Sequence, residues 1–207
     1  MAAFLFSPVG PFRHPWFNTP DTKFNADGLY HADQILSGKA AEAQARKIEE
    51  AAQAALAEYT QEMKPGEAKK WKIYLPFERL EDDETGEPTG EILFTYKQNA
   101  KIKTKKGEIK DITIGIFDSQ DNQMDTPIWN GSEGRVAFTM RPITMVSSKQ
   151  VGVRLDFAKV QITKLKSGGS SGGGFGETIE GGYVVDDEPK GFGGGNPDSS
   201  IEEEEQY

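Results

Sequence analysis

The chain contains no cysteine and only two histidines among its 207 residues, and both scarcities narrow its chemistry. Without cysteine it can form neither a disulfide framework nor a thiolate metal site, and two histidines far apart in sequence do not suggest zinc. Such a composition is typical of a protein from a reducing cytoplasm. No apolar run approaches the roughly 18 residues of a membrane-spanning helix, and the apolar start lacks the basic region of a secretion signal, so we expect a soluble, cytoplasmic protein.

Catalytic and cofactor motifs are also absent from the sequence. Neither histidine lies near a serine in a nucleophile motif, and the glycine-rich stretch 172–176 lacks the Gly-Lys-Ser/Thr ending of a phosphate-binding loop. The acidic run 81–84 lacks the alternating ligands and central glycine of a calcium loop. We therefore predict no enzyme activity, no metal and no cofactor, and we keep a metal-dependent hydrolase only as a distant alternative.

The net charge of −9 comes entirely from the C-terminal end of the chain. After residue 166 there are ten acidic residues and one base, Lys190, whereas residues 1–166 carry 23 acidic and 23 basic residues. The last seven residues include four consecutive glutamates and end in tyrosine. A block of like charge repels itself and stays solvated, so it is typical of an interaction tail. Any anion-binding surface before residue 167 must then be a local basic patch.

The composition changes abruptly at residue 167, where a Gly/Ser-rich stretch begins. The 166 residues before it are enough for one well-filled hydrophobic core. A Gly/Ser-rich stretch behaves as a flexible coil, so the acidic residues behind it are tethered but free to move. We predict a single folded domain over residues 1–166, followed over residues 167–207 by a flexible linker and a disordered acidic tail.

The apolar pattern of residues 1–166 predicts one long helix followed by strands. From residue 39 to residue 63 apolar side chains recur every three or four positions, as in an amphipathic helix that Ser37 can cap and Pro65 ends. The predicted strands are rich in β-branched and aromatic residues and cover 29–36, 71–77, 91–103, 109–117, 135–141 and 151–165. The last strand changes parity, which predicts a bulge near Ala158. A mainly β fold, a small closed barrel with one long helix, accounts for this pattern.

The stretch 91–110 combines aromatic rings with lysines. Two rings fall on one face of a predicted strand, and six lysines accompany them against two glutamates. Surfaces of this kind bind single-stranded nucleic acid, because bases stack on rings while lysines neutralise phosphates. The predicted stacking residues are Phe94, Tyr96, Trp16 and Trp71, and the predicted phosphate-binding residues are Lys97, Lys101, Lys103, Lys105, Arg135 and Arg141.

Plainer interpretations of these residues remain open. The lysine-rich hairpin could be a solvated surface whose aromatic residues belong to the core, and composition alone gives the two interpretations even weight. His31, on a predicted strand, is typical of a satisfied structural side chain rather than a general base. Trp129 could anchor a packed loop or serve as a platform for a base, and we favour the anchor.

Four short stretches carry a resemblance that covers nearly the whole chain. They are Gly-Leu-Tyr-His-Ala-Asp at 28–33 directly before the helix, Leu-Pro-Phe at 75–77, the stretch 109–119, and Arg-Pro at 141–142 continued by Val-Gly-Val-Arg-Leu at 151–155. In this order, and together with the acidic tail, they resemble the replicative single-stranded DNA-binding proteins of short-tailed bacteriophages. Each stretch is short, and it is their common order that makes the match specific.

The resemblance implies a five-stranded oligonucleotide/oligosaccharide-binding (OB) barrel whose long helix sits early in the chain. It implies a protein without enzyme activity that binds single-stranded DNA largely independently of sequence, in phage DNA replication, recombination or repair in the host cytoplasm. The acidic tail would lie over the DNA groove when no DNA is bound, and otherwise dock on DNA polymerase and helicase-primase. Tail exchange could also link two subunits into a homodimer. The tail residues implied in docking are Glu202, Glu203, Glu204, Glu205 and Tyr207.

Two other functions would also fit a barrel with an acidic tail. One is an adaptor whose barrel binds protein and never contacts nucleic acid. The other is an RNA chaperone, which a preference for RNA over matched DNA oligomers would reveal, because RNA carries the 2′-hydroxyl.

Overall fold

The computed structural model of the protein describes residues 3–104 and 106–166. In chain order its elements are β1 Leu5–Phe6, β2 Gly10–Asp21, β3 Leu29–Ser37, α1 Gly38–Thr60, α2 Pro65–Ala68, β4 Lys72–Tyr74, β5 Phe77–Glu81, β6 Pro88–Asn99, β7 Lys101–Lys103, β8 Ile109–Asp111, β9 Gly115–Phe117, β10 Glu133–Met145 and β11 Gln150–Lys164. Lys105, the predicted tail residues and the whole predicted linker lie outside the described residues. The division of the chain at residue 167 therefore stays a prediction.

Five of the strands form a closed ring of pairings. Strand β2 pairs with β3, and β3 pairs with β6, both antiparallel; β6 runs parallel to β11, which pairs antiparallel with β10. A short antiparallel contact between β10 and β2 closes the ring. The predicted mainly β fold with one long helix is thereby confirmed, and the arrangement of the strands is OB-like.

Alternation along the strands decides which side chains fill the ring. In β3 the residues Tyr30, Ala32, Gln34 and Leu36 are buried while their neighbours are partly exposed. The pairing of β10 with β11 shifts register by one residue: Ala137 pairs with Lys159, and Phe138 pairs with Phe157. Ala158 is left as the extra residue, so the predicted bulge is confirmed.

Helix α1 buries one face made mostly of alanine. Ala41, Ala45, Ile48 and Ala52 lie three or four positions apart and are at most 1% exposed, so small side chains let the helix pack closely on the strands. The helix ends at Thr60, three residues before the predicted end, and its last turn precedes the short helix that begins at Pro65. Ser37 stands at the N-cap in extended conformation without a side-chain capping hydrogen bond.

Candidate nucleic-acid interface

A row of polar and aromatic side chains crosses the outside of the ring. Trp16 pairs with His31, His31 pairs with Lys97, and Lys97 pairs with Asp156. Residues that are directly paired point to the same face of a sheet. The buried neighbours of this row in β3, β6 and β11 are Ala32, Tyr96 and Phe157, each at most 1% exposed. The row Trp16–His31–Lys97–Asp156, here called the outer row, therefore faces outward.

Prolines set the local geometry that presents Trp16. Strand β2 shifts register between Arg13 and Trp16 and again between Trp16 and Asp21. Pro15 and Pro20 have no N–H to donate to the ladder, and His14 has a φ of 48°, so regular pairing cannot continue through this stretch.

The indole of Trp16 is open to solvent at one end of the outer row. It is 41% exposed, and its ring centroid lies 6.0 Å from that of His31. Nε2 of His31 is 3.4 Å from a carboxylate oxygen of Asp21. The backbone N–H of Lys23, with a lesser contribution from His31, holds the pKa of the Asp21 carboxyl below its usual value. The indole is therefore a platform on which a base can stack, beside the imidazole of His31.

Two arginines at the other end of the outer row share one carboxylate. Nε of Arg141 donates to one oxygen of Asp156 over 2.6 Å, and Nε of Arg154 donates to the other oxygen. Nη1 of Arg154 also donates to Oδ1 of Asn99 over 3.1 Å. With Lys97 in the adjacent strand, this end of the row carries three cations against one carboxylate, which suits phosphate binding.

The lysine-rich hairpin β7–β8 starts where the outer-row strand β6 ends. Ala100 N–H donates to the carbonyl of Gly28 over 3.0 Å, which ties the start of the hairpin to the start of β3. Gly28 has a φ of 82°, and an added Cβ would lie 2.9 Å from Pro20, so glycine is needed at this junction. Lys101 and Lys103 are exposed on the hairpin. The loop before β3 adds Phe24, which is 88% exposed.

A cleft of about 450 Å³ lies between Trp16 and Trp129. The ring of Trp129 is 53% exposed, so it is not the packed loop anchor that the sequence favours. Asn18 holds this loop, because its side-chain amide donates to the carbonyls of Asp125 and Thr126. The exposed indole makes Trp129 a second candidate platform, which sequence reasoning did not select.

The predicted stacking roles of Phe94 and Tyr96 are wrong. Both rings are 0% exposed inside the ring of strands, where they offer no face to a base. Phe94 packs on Phe77 and Tyr96 packs on Phe138, with centroids 5.5 Å and 5.3 Å apart. The two residues do share one strand face as predicted, but it is the inner face, and Lys97, the next residue after Tyr96, lies on the outer face.

A buried hydrogen-bond chain explains why a tyrosine can occupy the core. The Tyr96 hydroxyl accepts from Nε2 of Gln44 over 3.0 Å and donates to Oε1 of Gln34 over 3.3 Å. Gln34 in turn donates to the carbonyl of Gly134 over 2.7 Å. Burial raises the pKa of the Tyr96 hydroxyl, which stays neutral and links helix α1 to three strands.

Two further predicted contacts lie outside the outer row. Trp71 is half-buried and packs edge-to-face on Tyr59 of helix α1, with centroids 4.6 Å apart. Arg135 lies near the start of β10, where its guanidinium sits 5.7 Å from the ring centroid of Phe6. The outer row thus brings together Trp16, Lys97 and, through Asp156, Arg141. Their roles in binding stay predictions.

Residues 7–165 match the family of the single-stranded DNA-binding protein of bacteriophage T7. The chain belongs to this phage family. The family predicted from the four short stretches of sequence is therefore confirmed.

Solved structures of phage single-stranded DNA-binding proteins have the same fold as this family member. The crystal structure of gp2.5, encoded by bacteriophage T7, is 23% identical with a TM-score of 0.65, and the match covers 79% of this chain and 93% of that one. The single-stranded DNA-binding protein from bacteriophage Enc34, in complex with single-stranded DNA, is 8% identical with a TM-score of 0.53, covering 79% and 88%. No curated protein matches the sequence. Within the described ranges, no helix has the length and apolarity to cross a membrane.

Proposed function

We propose that the protein binds single-stranded DNA across the outer row, largely independently of sequence and without catalysing a reaction. The observation that carries this proposal is the placement of the exposed Trp16 on the same barrel face as Lys97, Arg141 and Arg154. Every base has a face that can stack on an indole, and lysine or arginine binds the phosphates, so this chemistry tolerates any sequence. Membership of the phage family and the Enc34 complex with single-stranded DNA support the proposal.

The lysine-rich hairpin extends this surface beyond the outer row. Lys101 and Lys103 are exposed next to the end of β6, and Lys105 follows them in sequence. Arg154 joins the predicted contacts because it shares Asp156 with Arg141. On this proposal Trp16 and Trp129 stack bases while the cations bind phosphates, and Trp71 has a structural role on helix α1.

Titration with oligo-dT at low and moderate salt, followed by tryptophan fluorescence, tests the proposal. We expect quenching on binding, because Trp16 and Trp129 are exposed, and a log–log salt slope of about −0.7 for each phosphate neutralised. Absence of binding, or binding that does not respond to salt, would contradict it. A parallel titration with oligo-U of the same length distinguishes the RNA chaperone, which would bind the RNA oligomer more tightly than oligo-dT.

We further propose that the acidic tail, which lies outside the described residues, regulates DNA binding in replication, recombination or repair. Ten acids after residue 166 can compete with phosphates for a surface on residues 1–166, which have no net charge. Glu202, Glu203, Glu204, Glu205 and Tyr207 then dock on DNA polymerase or helicase-primase in the host cytoplasm, or exchange between two subunits.

Removing residues 198–207 is expected to tighten oligo-dT binding at low salt, because Asp198 and four glutamates are lost as competitors. The shortened chain is compared with the full chain in the same titration. Unchanged affinity would remove the competition proposal and leave the proposed DNA-binding surface intact.

A further inference from the structure

Two cation–ring pairs lie side by side on the outside of β1, β10, β11 and β9. The Arg135 guanidinium is 5.7 Å from the Phe6 ring centroid, and Nζ of Lys159 is 5.5 Å from that of Phe117. Phe6 pairs with Ala137, and Ala137 pairs with Lys159, so the two pairs are neighbours across the sheet. We call Phe6, Arg135, Phe117 and Lys159 the second patch.

The two cations of the second patch lie outside the ion pairs that the described residues form. In the part of the chain that the structure describes, neither Arg135 nor Lys159 forms an ion pair, and Nε of Arg135 donates to the neutral Gln161 over 2.8 Å. Arg141 and Arg154, by contrast, share Asp156. Two free cations beside rings are available to an anionic ligand.

The two rings of the second patch differ in their surroundings: Phe6 is open to solvent, and the ring of Phe117 lies against Gly115. Phe6 is 64% exposed, so its ring has a free face. An added Cβ at Gly115 would lie 2.8 Å from the Phe117 ring, so glycine at this position leaves the space that the ring occupies. A hollow of about 70 Å³ lies between the two rings and is also lined by Asp121. It is too small to enclose a base, so a base would stack on the open face of Phe6.

The second patch lies on the same outward side of β10 as Arg141. Arg135 and Arg141 are six residues apart, which is about 20 Å at roughly 3.3 Å per residue. A single strand that leaves the outer row along β10 and β11 would therefore reach Phe6 and Lys159. Each nucleotide carries a base and a phosphate, and the patch places a ring that can stack on a base beside a cation that can bind a phosphate.

We propose that the second patch is a further contact for the same DNA strand, with a base on Phe6 and phosphates on Arg135 and Lys159. The proposal rests on the proposed function, and it makes the full site longer than the outer row. An acidic peptide is the competing ligand, but it would not use the continuity with Arg141.

The double variant R135Q/K159Q and the single variant D121N, both in the full chain, test this with oligo-dT of two lengths. An oligomer of roughly 6 nucleotides fills only the outer row, whereas one of roughly 20 nucleotides can also reach the second patch. For the longer oligomer we expect the salt slope of R135Q/K159Q to fall by about 1.4, with weaker binding at low salt, and no change for the shorter one. D121N removes the only acid that lines the hollow, among the described residues, and should tighten binding of the longer oligomer alone.

Three outcomes would overturn the proposal while leaving the proposed function standing. Equal losses for both lengths would place Arg135 and Lys159 within the outer-row contact, and no loss for either length would leave the patch without a DNA role. Tighter binding by R135Q/K159Q would mean that the patch holds an acidic peptide instead. If the unaltered chain binds neither oligomer, it is the proposed function that fails. Thermal unfolding of each variant checks that the fold is retained.

Discussion

Replacing Trp16 with alanine is expected to weaken oligo-dT binding by about 1–3 kcal/mol, roughly five- to 150-fold in the dissociation constant. The indole is the exposed ring of the outer row and lies next to His31, with Lys97 one strand further. Because a ring carries no charge, the salt slope should stay unchanged while the affinity falls. Fluorescence anisotropy of a labelled oligomer measures both quantities, since it does not depend on the protein's own tryptophans.

Trp71→Ala is the matched control for Trp16→Ala. Trp71 packs on Tyr59 at the end of helix α1, so its removal should lower the free energy of unfolding and leave the DNA affinity nearly unchanged. Denaturant unfolding and the same anisotropy titration separate the two effects. A larger loss of affinity for Trp71→Ala than for Trp16→Ala would place the stacking surface beside helix α1 and refute the role of the outer row.

The fold was predictable because its strongest signals are local. The apolar spacing of α1 and the parity change at Ala158 can be read from a few neighbouring residues, and the structure contains both. Alternation in β6 likewise shows that Phe94 and Tyr96 share a face. It does not show whether that face is the inside, because closure of the ring and the partners Gln34 and Gln44 decide this, and those partners come from distant segments.

The candidate site was less predictable because it is assembled by strand register. Trp16, His31 and Lys97 come from three strands, and no sequence spacing places them in one row. The sequence predicts His31 to be a satisfied structural side chain, because it is a lone histidine on a strand. For Trp129 the sequence suggests both a platform and an anchor, but the choice between them depends on how the loop held by Asn18 lies against β2. Phe24, an exposed ring after Lys23 in a loop, is the kind of signal that could have been found from sequence.

In the proposed interface the carboxylate of Asp156 pairs with Arg141 and Arg154, and so competes with DNA phosphates for the two arginines. Its side chain is largely buried between them. Asp156→Asn removes the charge that pairs with both arginines and keeps one oxygen that can accept hydrogen bonds. DNA phosphates can then take the place of the carboxylate. We expect oligo-dT binding to tighten by about 1–2 kcal/mol, roughly five- to thirtyfold, and the salt slope to steepen by about 0.7.

Asp33→Asn gives the same change of charge on the same barrel face without freeing an arginine. The Asp33 carboxylate accepts from the Thr95 hydroxyl over 2.7 Å and forms no ion pair within the described residues. If release of the two arginines is the cause, Asp33→Asn should tighten binding less than Asp156→Asn and leave the salt slope nearly unchanged. Equal effects of the two variants would mean that the general charge of the face, not the paired arginines, sets the affinity. Weaker binding by Asp156→Asn, in a variant that still unfolds cooperatively, would mean that DNA needs the arginines in the positions where Asp156 holds them.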